Sequence, residues 1–351
     1  MKIVKLPKEN FEEFIARLGT FGEIHAPTKR GDGSASSGAA STDFVFAPVT
    51  NASEIALNCN RTILPLKKYF FKPVEVMFNF DARKGYELPA EGADKKIVIF
   101  GAHPCDIHGL KILDVVFGGG YADSYFWRRK SRIAVIGLDC IPDEYCFCRS
   151  TGADFVDGGF DLFLSDIDGC YLVRIGTSQG DDMVMAAHSL FREVEPRDRE
   201  AYKSKSVLRR ESFQTEIQFQ DLPEIMDLEY ENEVWQEVAE KCLSCGTCSM
   251  VCPTCYCYAV FDELSLDASS GKRKRRWDSC LFKDYALVAG GHNFRAKRSS
   301  RVKNRYFHKQ RGFVSRYGRP SCVGCGRCKA YCPAGVDILE VVQKLRSEPH
   351  V

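Results

Sequence analysis

Two identical cysteine runs constrain this chain more than any other feature. Cys242, Cys245, Cys248 and Cys252 are followed by Pro253 and fit C-x2-C-x2-C-x3-C-P. Cys322, Cys325, Cys328 and Cys332, followed by Pro333, fit it again. Two-residue gaps wrap a loop so that three thiolates reach one [4Fe-4S] cubane. The fourth cysteine opens a helix that points away, and in two-cluster proteins it ligates the other cube. The expected sets are therefore Cys242, Cys245, Cys248 and Cys332 for one cluster, and Cys322, Cys325, Cys328 and Cys252 for the other. Gly246, Gly324 and Gly326 let the backbone come close enough to donate N–H groups to sulfur. Zinc sites usually place two cysteine pairs across a longer gap, which neither run does.

The chain holds 17 cysteines among 351 residues, more than core packing needs. Disulfides belong to oxidising compartments. The opening segment, Met1 to Pro7, has no secretory pattern and no twin-arginine signal. No run approaches 18 uninterrupted apolar residues, so no membrane span is expected. A cytoplasmic location follows as an expectation, and dense cysteines there read as metal ligands. A formal net charge of +2 gives no global pull toward nucleic acid.

The organisation reads as α+β. Residues 1–185 are expected to form an α/β domain with a partly parallel sheet. Residues 186–229 read as a charged helical connector, and 230–351 as a mostly helical, ferredoxin-like dicluster domain. Phe11, Phe14, Ile15 and Leu18 fall at helical spacing. Gly31 to Ser41 is a run of small residues that reads as a flexible surface loop. The apolar runs 96–101 and 132–137, with a helical pattern over 106–116 between them, predict parallel strands joined by a crossover. Residues 161–175 alternate like an antiparallel hairpin turning near Asp168-Gly169. A helix over 231–241 leads into the first motif.

Three further cysteines lie in the 69 residues, 253–321, that separate the motifs. Cys255 and Cys257 follow the first motif directly, and Cys280 stands in Trp277-Asp278-Ser279-Cys280. They read either as part of a further cluster, completed by His292, His308 or a distant residue, or as buried thiols beside the second cluster. Around the basic run Lys272 to Arg276 aromatic interleaving is thin, and no nucleic-acid fold signature accompanies it. It reads as a solvated turn or as a docking face for an acidic redox partner.

A fourth group lies in the first half. Cys105 follows one of the predicted parallel strands, and Cys140 follows the other, with Cys146 and Cys148 in the same loop. Carboxyl ends of neighbouring parallel strands open onto one sheet edge, where α/β proteins place ligands. Four thiolates converging there would hold a third [4Fe-4S] cluster. Cys59 and Cys170 have no partner at ligand spacing and read as packing residues. Neither a G-x-G-x-x-G after a strand nor a G-x-x-x-x-G-K-[ST] is present, and no nucleophile–base constellation stands out.

Several blocks carry a family resemblance. They are Pro-Cys-Asp at 104–106, Cys-Phe-Cys at 146–148, Cys-Pro-Thr-Cys at 252–255 and Trp-Asp-Ser-Cys at 277–280. Ala-Gly-Gly-His-Asn-Phe-Arg at 289–295 and Cys-Val-Gly-Cys-Gly-Arg-Cys at 322–328 complete them. In these the chain resembles the β subunits of cytosolic sulfhydrogenase-type NiFe hydrogenases and the dicluster iron–sulfur subunits of anaerobic sulfite reductases. The resemblance spans about residues 42–345 and implies an electron-transfer role. Such a subunit relays electrons between a flavoprotein that binds NAD(P)H and a terminal hydrogenase or reductase subunit. Two other readings stand beside it. One is a catalytic iron–sulfur subunit reacting at the first-half cysteines, and the other is a nucleic-acid-binding protein with structural clusters.

Overall fold

The computed structural model describes residues 2–30, 44–88 and 95–347. The small-residue run 31–41 lies outside them. The chain clusters into two compact units, each drawn from several stretches. The first comprises Met1–Leu66, Lys95–Glu216 and Val323–Cys325. The second comprises Lys67–Asp94, Ile217–Cys322 and Gly326–Val351.

The first unit is built on a seven-stranded mixed sheet. In spatial order the strands are Ile3–Pro7, Cys170–Ile175, Leu162–Asp166, Ile133–Leu138, Ile97–Ala102, Glu23–Lys29 and Phe44–Pro48. The four central strands, from Leu162–Asp166 to Glu23–Lys29, run parallel, and the outer pairings are antiparallel. Ile97–Ala102 and Ile133–Leu138 are almost wholly buried, as apolar runs covered on both faces should be. The helix Pro104–Gly118 follows the first of them, with Pro104 in its first turn, where the missing N–H costs nothing. The helix Phe11–Leu18 buries Phe11, Phe14, Ile15 and Leu18. They pack in one core with Leu6, Val98, Phe100, Ile136, Leu162, Leu164 and Val173. The hairpin turns at Asp168, which takes a left-handed φ of 74°.

The second unit combines helices with a four-stranded antiparallel sheet. Its strands run in the order Tyr258–Leu264, Ser270–Trp277, Val74–Asp81 and Gly85–Glu87. The C-terminal half thus carries a sheet beside its helices, and half of that sheet comes from residues 74–87. The basic run Lys272 to Arg276 is a strand in this sheet rather than a solvated turn. Arg273 makes a two-point ion pair with Asp262 at 2.8 Å. Lys274 pairs with Glu263 at 2.5 Å, and buried Arg275 pairs with Glu75. Much of the run's charge is therefore met by neighbouring strands. Among the helices, Trp235 on Val234–Lys241 packs against Tyr306 and Phe307. Among the described residues, no helix is long and apolar enough to cross a membrane.

Candidate metal centres

The first motif begins where the helix Val234–Lys241 ends, with Cys242 as its C-cap. The chain then bends through two left-handed residues, Ser244 at φ 54° and Gly246 at φ 75°. A Cβ on Gly246 would lie 2.5 Å from the Phe282 ring, so only glycine fits this bend. The bend aims backbone donors at sulfur: the Ser244 N–H donates to Cys242 Sγ at 3.4 Å. At the end of the second motif the Val336 N–H donates to Cys332 Sγ at 3.3 Å. Amide–sulfur bonds of this kind suit a cluster's thiolates.

Burial raises the Cys248 thiol, and the charges of Cys242, Cys252 and Cys332 raise it further. Thiols of both motifs, Cys242 and Cys252 from the first and Cys332 from the second, thus act on Cys248. Cys245 is exposed, whereas Cys242, Cys248, Cys252, Cys322, Cys325, Cys328 and Cys332 are half-buried.

Three cations surround this region of the second unit. Lys67 is buried beneath the Trp277 ring and donates to the carbonyls of Ser249 and Cys255, both at 3.0 Å. Burial pulls its pKa down to about 8, while Cys255 and Cys252 oppose the fall. Lys309 donates to Thr254 Oγ1 at 2.6 Å. Arg305 donates to the Cys248 carbonyl at 3.3 Å and reaches Cys255 Sγ at 3.9 Å. Among the described residues none of the three has a carboxylate partner. Their charge suits thiolates and the anionic clusters those thiolates would hold.

Cys255, Cys257 and Cys280 line one cavity of about 310 Å3. Cys255 hydrogen-bonds to Cys252, which holds Cys252 well below the usual thiol range. Cys280 and Tyr285 hydrogen-bond to Cys257 and lower it likewise. His308 lines the same cavity, and His292 is not among its lining residues.

In the first unit, Cys105 lies in the first turn of Pro104–Gly118 and Cys140 just beyond Ile133–Leu138. These two strands are parallel neighbours, so both cysteines stand at the same sheet edge. Cys146 and Cys148 are buried in the loop that follows. Burial drives Cys146 up to about 12, and burial followed by the charges of Cys140 and Cys146 raises Cys148 further. Cys140, raised by burial, also feels Asp106, the neighbour of Cys105. Two arginines flank the group. Arg61 pairs with Asp143 and donates to Cys146 Sγ at 3.4 Å. Arg209 Nε donates to the Cys140 carbonyl at 2.8 Å, and its Nη2 donates to the Asp154 carbonyl at 2.7 Å and lies 4.0 Å from Cys140 Sγ. Metal binding at thiols raised in this way would release protons.

The Val323–Cys325 segment of the second motif clusters with this unit. The Phe147 N–H donates to the Gly324 carbonyl at 2.9 Å. Gly324 has φ 62°, and a Cβ there would stand 2.5 Å from the Cys148 backbone N and Cα. The obstacle is main chain, so no rotamer change relieves it. Gly324→Ala is expected to cost on the order of 1–3 kcal/mol, as overpacking does, and a lower unfolding midpoint will show it.

None of Arg61, Lys67, Arg209, Arg305 and Lys309 lies inside a cysteine motif, and nothing in local sequence marks them. Among the described residues no three cysteine, histidine or carboxylate side chains gather as ligands of a single ion would.

Cysteine loops with amide–sulfur bonds, set in a mixed α/β chain, define an iron–sulfur protein of dicluster type. Residues 241–336 match the 4Fe-4S dicluster domain family. Over 346 residues, 99% of each chain, the sequence is 39% identical to sulfhydrogenase 2 subunit beta of Pyrococcus furiosus. The chain belongs to the sulfhydrogenase β-subunit family, and it is an iron–sulfur subunit of hydrogenase type. No solved structure matches it.

Proposed function

We propose that this chain is the electron-relay subunit of a multisubunit oxidoreductase. It passes electrons between a flavin- and NAD(P)H-linked subunit and a terminal hydrogenase or reductase subunit. Cys242, Cys245, Cys248 and Cys332 hold one [4Fe-4S] cluster, and Cys322, Cys325, Cys328 and Cys252 hold a second. Cys105, Cys140, Cys146 and Cys148 hold a third. Bound clusters supply one-electron chemistry.

The observation that carries this reading is the pair of amide–sulfur bonds, Ser244 N–H to Cys242 and Val336 N–H to Cys332, one in each motif. The chain's own contribution is electrostatic. Ser244 and Val336 donate to sulfur, which stabilises the reduced, more negative state and raises the potential. Arg61 and Arg209 do the same beside Cys146 and Cys140. Exposed Cys245 brings one cluster edge to the surface, where a partner can exchange electrons.

The relay is tested by removing the first-unit site alone. In the anaerobically purified chain, serine at both Cys146 and Cys148 is expected to remove about four irons, one cubane. Reduction of the terminal subunit in the reconstituted complex will slow with it. An unchanged iron content would remove this cluster from the relay.

A further inference from the structure

The relay leaves unused the cavity of about 310 Å3 in the second unit. Its wall holds every thiol between the two motifs: Cys255, Cys257 and Cys280. It also holds Arg295, Arg305 and Lys309, and no carboxylate. Cations around a recess without acids suit an anionic occupant, because an unmatched charge taken out of water costs several kcal/mol. A cubane bound by three thiolates is a net anion. His308 lines the cavity and is exposed, with Nε2 2.9 Å from the Tyr256 hydroxyl. No partner at its Nδ1 occurs among the described residues. Cys255 contacts Cys252, so the cavity adjoins a thiol assigned to the second cluster.

We propose that this cavity is a further iron–sulfur site, ligated by Cys255, Cys257 and Cys280, with His308 on the fourth iron. Three thiols and three cations with no carboxylate around one cavity fit an anionic cluster better than neutral thiols packed beside the second one. Replacing a thiolate by histidine removes a negative charge and raises the reduction potential. The site is therefore an electron sink beside the relay, open at the histidine.

Three versions of the full chain, purified anaerobically, test this. They are the unaltered chain, the double variant Cys257→Ser with Cys280→Ser, and His308→Cys. Iron, acid-labile sulfide and EPR-monitored redox titration are measured on each. The double variant is expected to lose about four irons per chain and one EPR signal. His308→Cys is expected to keep its iron and shift that signal to lower potential. Unchanged iron and spectra in the double variant overturn the proposal. If that variant does not fold, a His308→Cys spectrum and potential identical to those of the unaltered chain overturn it instead. So does alkylation of both Cys257 and Cys280 by iodoacetamide in the fully loaded native chain. The proposal goes beyond the relay reading, and the two fail separately. Failure of the quartet assignment appears as unchanged iron in a Cys332 variant, whatever happens at Cys257 and Cys280.

Discussion

Alanine at Cys332 is expected to remove about four irons per chain, and the irons lost are those held by the first motif. The sequence neighbours of Cys332 belong to the second motif, so simple reading would place the loss there. The ligation pattern of two-cluster motifs gives the opposite expectation. Cys332 is near enough to act electrostatically on Cys248, 84 residues earlier, as Cys242 and Cys252 of the first motif also do. The spectra should therefore sort crosswise. Cys332→Ala should resemble Cys242→Ala, and Cys252→Ala should resemble Cys322→Ala. Iron content with EPR of the four reduced variants decides it. If Cys332→Ala matched Cys322→Ala, cross-ligation would be wrong. Stability should fall too, because the free energy of metal binding is part of the folding free energy of such loops.

The two cysteine motifs were legible because their spacing is local. So were the parallel strands Ile97–Ala102 and Ile133–Leu138, whose apolar runs announce burial, and the hairpin at Asp168. What local pattern hides is the partner across the sheet. Ser270–Trp277 has no apolar alternation, so Lys272 to Arg276 reads as a solvated turn. The acids that turn it into a strand are Asp262, Glu263 and Glu75, and Glu75 lies 200 residues away in sequence. Arg61 and Arg209 escaped for the same reason, reaching cysteines 85 and 69 residues distant. Cys255, Cys257 and Cys280 were visible as residues, but the cavity they share is a property of packing. It separated His308 from His292, which sequence left as equals.

The largest stability effect in the second unit should come from that hidden strand. Arg275 is 1% exposed and its partner Glu75 4%. They face each other in the register between Ser270–Trp277 and Val74–Asp81. The guanidinium also lies 5.2 Å from the Phe71 ring and 5.4 Å from that of Tyr258. Arg275→Met keeps most of the volume and removes the charge. It leaves the Glu75 carboxylate buried without its guanidinium, and breaking a buried pair in this way costs about 3–5 kcal/mol. Arg275→Lys is not a safe control, because an ammonium cannot reproduce the planar contact with both carboxylate and rings. The useful control is Arg275→Met combined with Glu75→Leu. If stranded charge is the cause, the double variant should recover most of the lost stability, read from the unfolding midpoint. If it is as unstable as the single variant, ring contact rather than charge holds the strand. Iron content should follow the midpoint. The strand runs directly into Trp277 and Cys280, and Asp278 ties that end to the Cys257 carbonyl at 2.9 Å. A loosened strand therefore loosens two of the three thiols around the cavity, and the double variant should restore their order together with the fold.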